Sequence, residues 1–271
     1  MVTSTSSPEL NIGFLLIDDF ALMSYAAAVE PLRAANLLAG KLLYRLHHIA
    51  VAGSRAISSS GAIIEATVNV ADPIDLDLLL VVAGGDPATF VDGAVFSWLR
   101  QLSRNGVVLG GVSGGPVVLA AAGLMEKRRM TVHWEHAPAL GEISPSLLLE
   151  RTLYVKDRDR LTCAGGTAPL DMMHALITEH HGSGFARKIS DWFLHTEIRP
   201  PSGPQRAGLV ERYRTTSRPV IQAIEIMENH IADPLELGSI GNIIGLGPRQ
   251  LNRLFRNKLG KSTMAFYRQL R

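Results

Sequence analysis

The sequence predicts an α/β fold, a mostly parallel sheet with helices on both faces, followed by a small all-helical domain. In the first two hundred residues, short apolar runs alternate with segments of helical periodicity, as in parallel sheets buried on both faces. A stretch rich in Pro and Gly follows. The end of the chain, Gly245–Arg271, has seven Lys or Arg residues and no Asp or Glu. We therefore expect a domain at 9–198, a linker at 199–208 and a second domain at 209–271.

Each element of the first domain has its own signal. The predicted strands are short apolar or extended runs: Asn11–Ile17, Leu46–Ala52, Ile63–Val70, Leu78–Ala83, Val107–Val112, Met130–Trp134, Leu153–Val155 and Leu161–Ala164. The predicted helices are Ala21–Leu38, Thr89–Ser103, the segment after Pro116, and Leu170–His181. Asp171, in the first turn of the last helix, is interpreted as a capping residue. Ligands of such sheets bind beyond the carboxyl ends of the strands, so we expect a site at the loops Gly84-Gly85, Ser113-Gly114 and Gly165-Gly166.

Composition limits the class of protein. Hydrophobic residues make up 46% of the 271, enough for a sizeable core, and the net charge is +2. Residues 211–271 hold ten basic and five acidic side chains, which leaves about −3 for the rest. A single Cys163, no signal-peptide pattern in residues 1–8 and no membrane-length apolar run predict a cytoplasmic protein. His47-His48 and His180-His181 lack metal-ligand spacing, so we expect neither a metal nor a cofactor.

The segment Gly111–Gly115 fits the pattern G-x-S-x-G, and two interpretations remain open. Ser113 could be a nucleophile with His133 as base and Glu30 as acid, although that order differs from the hydrolase order. Alternatively, the glycine-rich turn seats an anion on backbone N–H groups without chemistry, which we favour. Aromatic side chains could wall the pocket or pack in the core; the candidates are Trp134, Phe20 and Tyr25.

The basic end of the chain predicts a helix, a tight turn and a second helix. Asp233, Pro234 and Glu236 form a helix-start signal, and Gly245 is the expected stop. The second helix should begin near Pro248 and bury Leu251, Leu254, Phe255 and Leu259. Its other face carries Arg249, Arg253 and Arg256 at i, i+4 and i+7, with Gln250 and Asn252 beside them. These forked side chains match base edges in the major groove, whereas a solvated basic bundle is the duller alternative.

Five segments together resemble AraC-type transcription regulators whose sensor is a type 1 glutamine amidotransferase-like (PfpI-like) domain. They are VEPLRAAN (29–36), VVAGG (81–85), GGVSGGPVVLAAAGLMEKRRMTVHWE (110–135), TCAGGTAPLDMMHALI (162–177) and PRQLNRLFRNKLGKS (248–262). The resemblance implies a flavodoxin-like, dimeric sensor that controls genes for nitrogenous metabolites such as betaine, carnitine, choline or arginine.

Two departures from the family pattern matter. Enzymes of the superfamily carry Cys at the elbow with a Glu of the first helix and often a His, at positions that match Ser113, Glu30 and His133. Serine lacks the low pKa of an activated thiol, which favours a pocket retained for binding. AraC-type domains also resemble two helix-turn-helix units, whereas this sequence reaches only the start of the linking helix.

Together these observations predict a ligand-responsive, DNA-binding transcriptional regulator that is not an enzyme. We expect it to act as a homodimer and not to associate with a membrane. The expected effector site comprises Glu30, Gly84, Gly85, Ser113, Gly114, Gly115, His133 and Trp134. The expected base contacts are Arg249, Gln250 and Arg253, with Asn252 beside them, and the expected phosphate contacts are Arg256, Lys258 and Lys261. The alternative is a serine hydrolase or amidase that uses Ser113.

Overall fold

Seven strands form the central sheet in a computed structural model of the protein, which describes residues 9–143, 146–230 and 234–270. The strands of the chain are β1 (Leu10–Leu16), β2 (Tyr44–Ala50), β3 (Arg55–Ile57), β4 (Ile63–Glu65), β5 (Val68–Asn69), β6 (Leu78–Ala83), β7 (Val108–Ser113), β8 (Arg129–Met130), β9 (Leu148–Leu149), β10 (Tyr154–Asp157) and β11 (Arg160–Cys163). The central sheet has the order β10-β11-β7-β6-β1-β2-β5. Every pairing in it is parallel except β10 with β11. The predicted mostly parallel sheet is thereby confirmed.

Helices cover both faces of this sheet. They are α1 (Leu22–Ala39), α2 (Gly93–Arg104), α3 (Gly115–Ala121), α4 (Ala137–Ile143), α5 (Ala168–His181) and α6 (Ser183–Trp192). Side chains alternate along each strand, so β6 supplies Leu78, Leu80 and Val82 to the core under α1, α5 and α6. Its intervening residues Leu79, Val81 and Ala83 belong to the core under α2 and α3. Burial on both faces explains why this strand is apolar throughout.

Two predicted elements differ from the structure in instructive ways. Helix α2 begins four residues later than the predicted Thr89, because the Asp92 carboxylate accepts the N–H groups of Ala94 and Val95 at 2.9 and 3.0 Å. The predicted strand Met130–Trp134 is wrong beyond its first residue. Only Arg129–Met130 is extended, in a two-stranded sheet with β9, and Trp134–His136 is a turn of 3-10 helix.

The chain divides into two compact units between Gln205 and Arg206. Residues of the expected linker are fastened within the first unit. Leu153 N–H donates to the Pro201 carbonyl at 2.9 Å. The Gln205 amide donates to Thr131 Oγ1 at 3.0 Å, to the Val132 carbonyl at 3.0 Å and to the Thr152 carbonyl at 2.8 Å.

The second unit is helical. Its helices are α7 (Leu209–Tyr213), α8 (Arg218–Asn229), α9 (Leu237–Ile244), α10 (Pro248–Leu259) and α11 (Thr263–Leu270). Their shared core is centred on Val220, Ile224, Ile240, Leu251 and Phe255. Asp233, the expected cap of α9, lies outside the described residues. Glu236 was expected inside the first turn, but it is extended and immediately precedes the helix.

The tight turn between α9 and α10 depends on two glycines. Gly245 ends α9 in the left-handed conformation, with φ +73°, as the sequence predicts. Gly241 faces the turn, where its carbonyl accepts Leu246 N–H at 2.8 Å. A methyl group on Gly241 would lie 2.5 Å from the Leu246 carbonyl oxygen, so the turn can close only over a bare backbone.

We expect Gly241→Ala to lower the free energy of unfolding of the second unit by about 1–3 kcal/mol, because the added methyl overpacks the turn. Gly238→Ala is the matched control in the same helix, where a methyl group would meet nothing within 4 Å. That control should be neutral or should stabilise by roughly 0.5–1 kcal/mol. Urea unfolding followed by far-ultraviolet circular dichroism measures both. Equal effects of the two substitutions would contradict this account of the turn.

Candidate ligand and DNA sites

Ser113 occupies a strained elbow at the carboxyl end of β7. Its φ is +60°, in a region that residues with a side chain seldom adopt. Two neighbours hold it there: Gly114 N–H donates to the Ala83 carbonyl at 3.0 Å, and His133 N–H donates to the Ser113 carbonyl at 3.3 Å. The side chain is nearly buried. The expected strand-to-helix turn is therefore present, at the edge where β6 also ends.

Ser24, not Glu30, is the α1 residue beside this elbow. The Ser24 hydroxyl accepts Gly166 N–H at 2.8 Å. A methyl group on Gly165 would lie 2.7 Å from Ser113 Cβ and 2.8 Å from Ser24 Oγ, so both serines border the same glycine. Ser24 could not be identified from the sequence, because its only signal is a position in the first turn of α1.

Glu30 was expected at the site, but in the structure its carboxylate lies away from Ser113. Its carboxylate lies 2.6 Å from the Arg33 guanidinium, and its side chain is 40% exposed. It follows Ser24 by six residues, about 9 Å along the helix axis. The expectation of Glu30 as the acid in a triad with Ser113 and His133 is corrected: its carboxylate is engaged by Arg33 at the surface.

His133 is next to the elbow through its backbone N–H, and Trp134 follows it in the chain. Burial lowers the pKa of His133, so its ring is neutral near pH 7, and Nδ1 accepts Glu135 N–H at 3.4 Å. The ring centroids of His133 and Trp134 are 5.3 Å apart, and Trp134 is 44% exposed. By contrast, Phe20 and Tyr25 are buried and meet edge to face at 5.6 Å. Of the three aromatic candidates, only Trp134 can form a pocket wall.

The glycines of this edge have different roles. A methyl group on Gly84 would lie 2.5 Å from the Asp19 carbonyl oxygen, so Gly84 permits a close crossing of two loops. Gly85 adopts φ +56° beside it. Gly114 was expected to offer its N–H to a ligand, but that group is engaged by Ala83. Gly115, a buried residue at the start of α3, has an N–H without a partner in the described part of the chain.

Asp171, predicted as a capping residue, is the centre of a cluster of charged and polar groups around its buried carboxylate. Its side chain is 0% exposed. Oδ1 accepts His195 Nε2 at 2.8 Å and Arg199 N–H at 2.9 Å, while Oδ2 accepts Arg199 Nη2 at 2.7 Å. Arg199 also donates to Thr167 Oγ1 at 3.0 Å. Asp171 therefore ties the start of α5 to the segment that leads out of the first unit.

The second helix of the helix-turn-helix, α10, presents the expected cationic face. Its exposed side chains without a hydrogen bond or ion pair within the described ranges include Arg249, Gln250, Arg253, Arg256 and Lys258. On its opposite face, Leu251 and Phe255 are fully buried. The helix is thus divided into an anchoring face and a face of unengaged donors.

Two expected DNA contacts are engaged in the protein. Asn252 is half-buried, and its Oδ1 accepts Thr263 N–H at 2.9 Å, which caps the start of α11. The expectation of Asn252 as a base contact is corrected to this structural role, because the amide is turned toward α11. Lys261 remains exposed, and its ammonium contacts Gln269 Oε1. Tyr267 similarly fixes α11, donating to the His230 carbonyl at 2.6 Å.

Metal sites, membrane-spanning helices and cavities were considered among the described residues. They contain no group of three or more His, Cys, Asp and Glu side chains that could hold a metal ion. No helix within these ranges has both the length and the apolar character that crossing a bilayer requires. A cavity of about 350 Å³ lies beside β10, and none of the residues expected at the elbow lines it.

Comparison with known proteins supplies independent findings. Residues 11–179 match the sequence model of the DJ-1/PfpI family. The chain is 45% identical over 273 residues to the HTH-type transcriptional regulator GlxA of Rhizobium meliloti (strain 1021), covering 100% of this chain and 84% of that protein. It is 41% identical over 259 residues to the HTH-type transcriptional regulator CdhR of Pseudomonas aeruginosa, covering 95% and 76%. The crystal structure of an AraC family transcriptional regulator from Pseudomonas putida superimposes with a TM-score of 0.62 at 27% identity, covering 69% of this chain and 100% of that one.

We expect Asp171→Ala to destabilise the first unit by about 3 kcal/mol, because it leaves Arg199 and His195 without their buried partner. Asp191→Ala, on the exposed surface of α6, is the control and should change stability by less than about 0.5 kcal/mol. All three tryptophans, Trp98, Trp134 and Trp192, lie in the first unit, so urea unfolding followed by tryptophan fluorescence reports on it alone. A loss at Asp171 no larger than that at Asp191 would refute the role given to this cluster.

Proposed function

The chain belongs to the DJ-1/PfpI family, and from that premise we propose that it is a DNA-binding transcriptional regulator controlled by a small-molecule effector. The observation that carries the proposal is the unengaged cationic face of α10, directly after the tight turn. The named regulators among its relatives support the same conclusion. We propose that it acts in the cytoplasm. We also propose that it acts as a homodimer, since a two-fold symmetric pair of recognition helices matches two DNA half-sites one helical turn apart.

The dimensions of this face suit the major groove. The major groove is about 12 Å wide and admits a helix, whose diameter with side chains is about 10–12 Å. Arg249 and Arg256 are seven residues apart, so the cationic face extends about 10.5 Å along the helix axis. Arg249, Gln250 and Arg253 lie in the first half of the helix, where recognition helices contact base edges. Arg256, Lys258 and Lys261 follow and would contact phosphates.

We expect Arg253→Ala to cost about 1–3 kcal/mol of DNA affinity and to relax specificity at one base pair. Arg253→Lys is the matched variant, because it keeps the charge but removes the fork that contacts a guanine. The measurement is fluorescence anisotropy with duplexes selected from a random library, in the parent sequence and with each position changed.

Base recognition predicts that both variants lose discrimination at the same position, while the Lys variant keeps its affinity for unrelated DNA. If both variants ranked all duplexes as the parent does, Arg253 would not read bases.

The effector site that we propose lies around the Ser113 elbow. A zwitterionic metabolite such as betaine, carnitine or arginine would place its carboxylate on Gly115 N–H. Its cationic end would lie over the indole of Trp134, since aromatic faces attract ammonium and guanidinium groups. Asp86 supplies a negative charge at this edge. Burial lowers the pKa of His136, and the Asp86 carboxylate is close enough to oppose that shift. Binding would control DNA affinity by favouring one of two states.

One observation favours a second candidate, a serine hydrolase. The left-handed Ser113 is the backbone geometry of a nucleophile elbow, and His133 is its neighbour. Against it, the described residues near Ser113 provide Ser24, rather than a carboxylate, from α1. We therefore propose that the pocket binds without turnover.

A thermal-shift screen with betaine, carnitine, choline and arginine separates the two candidates, with each compound quantified afterwards. We expect at least one compound to raise the melting temperature without being consumed, and Ser113→Ala to retain a shift. Consumption that disappears in Ser113→Ala would establish the hydrolase instead. Gly115→Ala is unsuitable as a control because a methyl group would overlap the Val81 carbonyl oxygen.

A further inference from the structure

A cavity of the first unit lies beside the edge strand β10, and its lining includes no residue of the Ser113 elbow. Its volume is about 350 Å³, within the range of small-molecule sites. An apolar floor is formed by side chains of two strands and one helix: Tyr154, Leu161, Met172, Ala175 and Leu176. None of the residues assigned to the effector site lines it. It is therefore a separate space with a hydrophobic interior.

The rim of this cavity is charged but balanced. Arg129 pairs with Glu150, and Lys156 pairs with Glu179, and all four side chains line the cavity. Because each cation already has its own carboxylate, the rim offers no unmatched charge to an ion. A strongly anionic or cationic ligand would have to break one of these pairs, whereas a neutral molecule would not.

Two hydroxyl groups of the cavity lining, those of Tyr154 and Thr152, have no hydrogen-bond partner among the described residues. Tyr154 is largely buried, and its hydroxyl has no hydrogen bond to any described residue. Burial raises the pKa of this phenol, so it stays protonated near pH 7 and can donate. A ligand that brings an acceptor would give this hydroxyl a hydrogen bond that it lacks within the described residues. Thr152 Oγ1, in the lining of the same cavity, is fully buried without a partner, and an unpaired buried hydroxyl is costly.

One wall comes from the segment that precedes the second unit. Pro201 and Ser202 line the cavity, and the Pro201 carbonyl accepts Leu153 N–H at 2.9 Å. An occupant would therefore contact the same short segment that Arg199 and Gln205 fasten to the first unit.

We infer that this cavity is a second ligand site, which takes a small neutral molecule with an apolar body and one carbonyl or ether-type acceptor directed at Tyr154. None of the residues proposed for the effector pocket or for DNA contact lines this site. Its chemistry differs from that of the zwitterion proposed at the elbow, since nothing here offers an unpaired charge. Hydrophobic contact with the floor supplies most of the affinity, and the Tyr154 hydroxyl selects for the acceptor.

Acetophenone is a suitable probe, and ethylbenzene is its counterpart without the carbonyl. The full chain is labelled with ¹³C-methyl methionine, and the Met172 signal is assigned by its absence in Met172→Leu. We expect acetophenone to shift the Met172 signal in a saturable way. Tyr154→Phe should weaken acetophenone by about threefold to tenfold and leave ethylbenzene within about twofold, because only the carbonyl uses the hydroxyl.

Ala175→Phe fills the cavity from α5 and should abolish both titrations, and Ala175→Met serves if the larger side chain prevents folding. Thermal unfolding confirms that each variant is folded. The inference would be overturned if acetophenone at about 5 mM did not shift the Met172 signal. That concentration is on the order of the practical limit for a weak probe of this size. Equal binding in the cavity-filled variant or an equal loss of both probes in Tyr154→Phe would also overturn the inference. The titrations contain no DNA, so their failure would leave the proposed regulator function intact.

Discussion

The close approach of α3 to the sheet is the constraint on which the rest of the first unit depends. Gly115 lies so near β6 that a methyl group there would overlap the Val81 carbonyl oxygen, and a methyl group on Gly111 would lie 2.5 Å from Pro116 N. The chain can make this turn only by forcing Ser113 into the left-handed conformation. The same turn brings the ends of β6 and β7, the His133 loop and the Gly165–Gly166 loop to one edge. The proposed effector pocket is a consequence of that packing.

The sequence predicts best where one residue type has one physical reason. The strand predicted at Leu78–Ala83 has the same first and last residues as β6. Burial on both faces demands an unbroken apolar run, and Gly84 ends it. Helix α10 also begins at Pro248 as expected, since proline suits a first turn and the leucine spacing fixes the buried face. Local patterns of this kind need no information about distant parts of the chain.

The residues that the sequence did not reveal act through partners far along the chain. Ser24 binds Gly166, 142 residues away, and Asp171 binds Arg199, 28 residues away. Asn252 was expected to contact DNA because of its residue type, yet its Oδ1 accepts a hydrogen bond from Thr263 N–H. Glu30 was expected from its place on the first helix and from the family pattern, whereas the tertiary structure puts Ser24 of that helix beside the elbow. Tertiary contacts, not propensities, decide these cases.

Salt dependence of DNA affinity tests the central claim, which is that the basic face of the second unit binds DNA. Each phosphate contact contributes about −0.9 to the slope of the logarithm of affinity against the logarithm of salt concentration. A variant with Arg256, Lys258 and Lys261 all changed to Gln should therefore have a slope smaller in magnitude by about 2.7 than the parent. It should rank DNA sequences as the parent does, because its base-reading residues are untouched. An unchanged slope, or no binding of the parent to any selected duplex, would contradict the account.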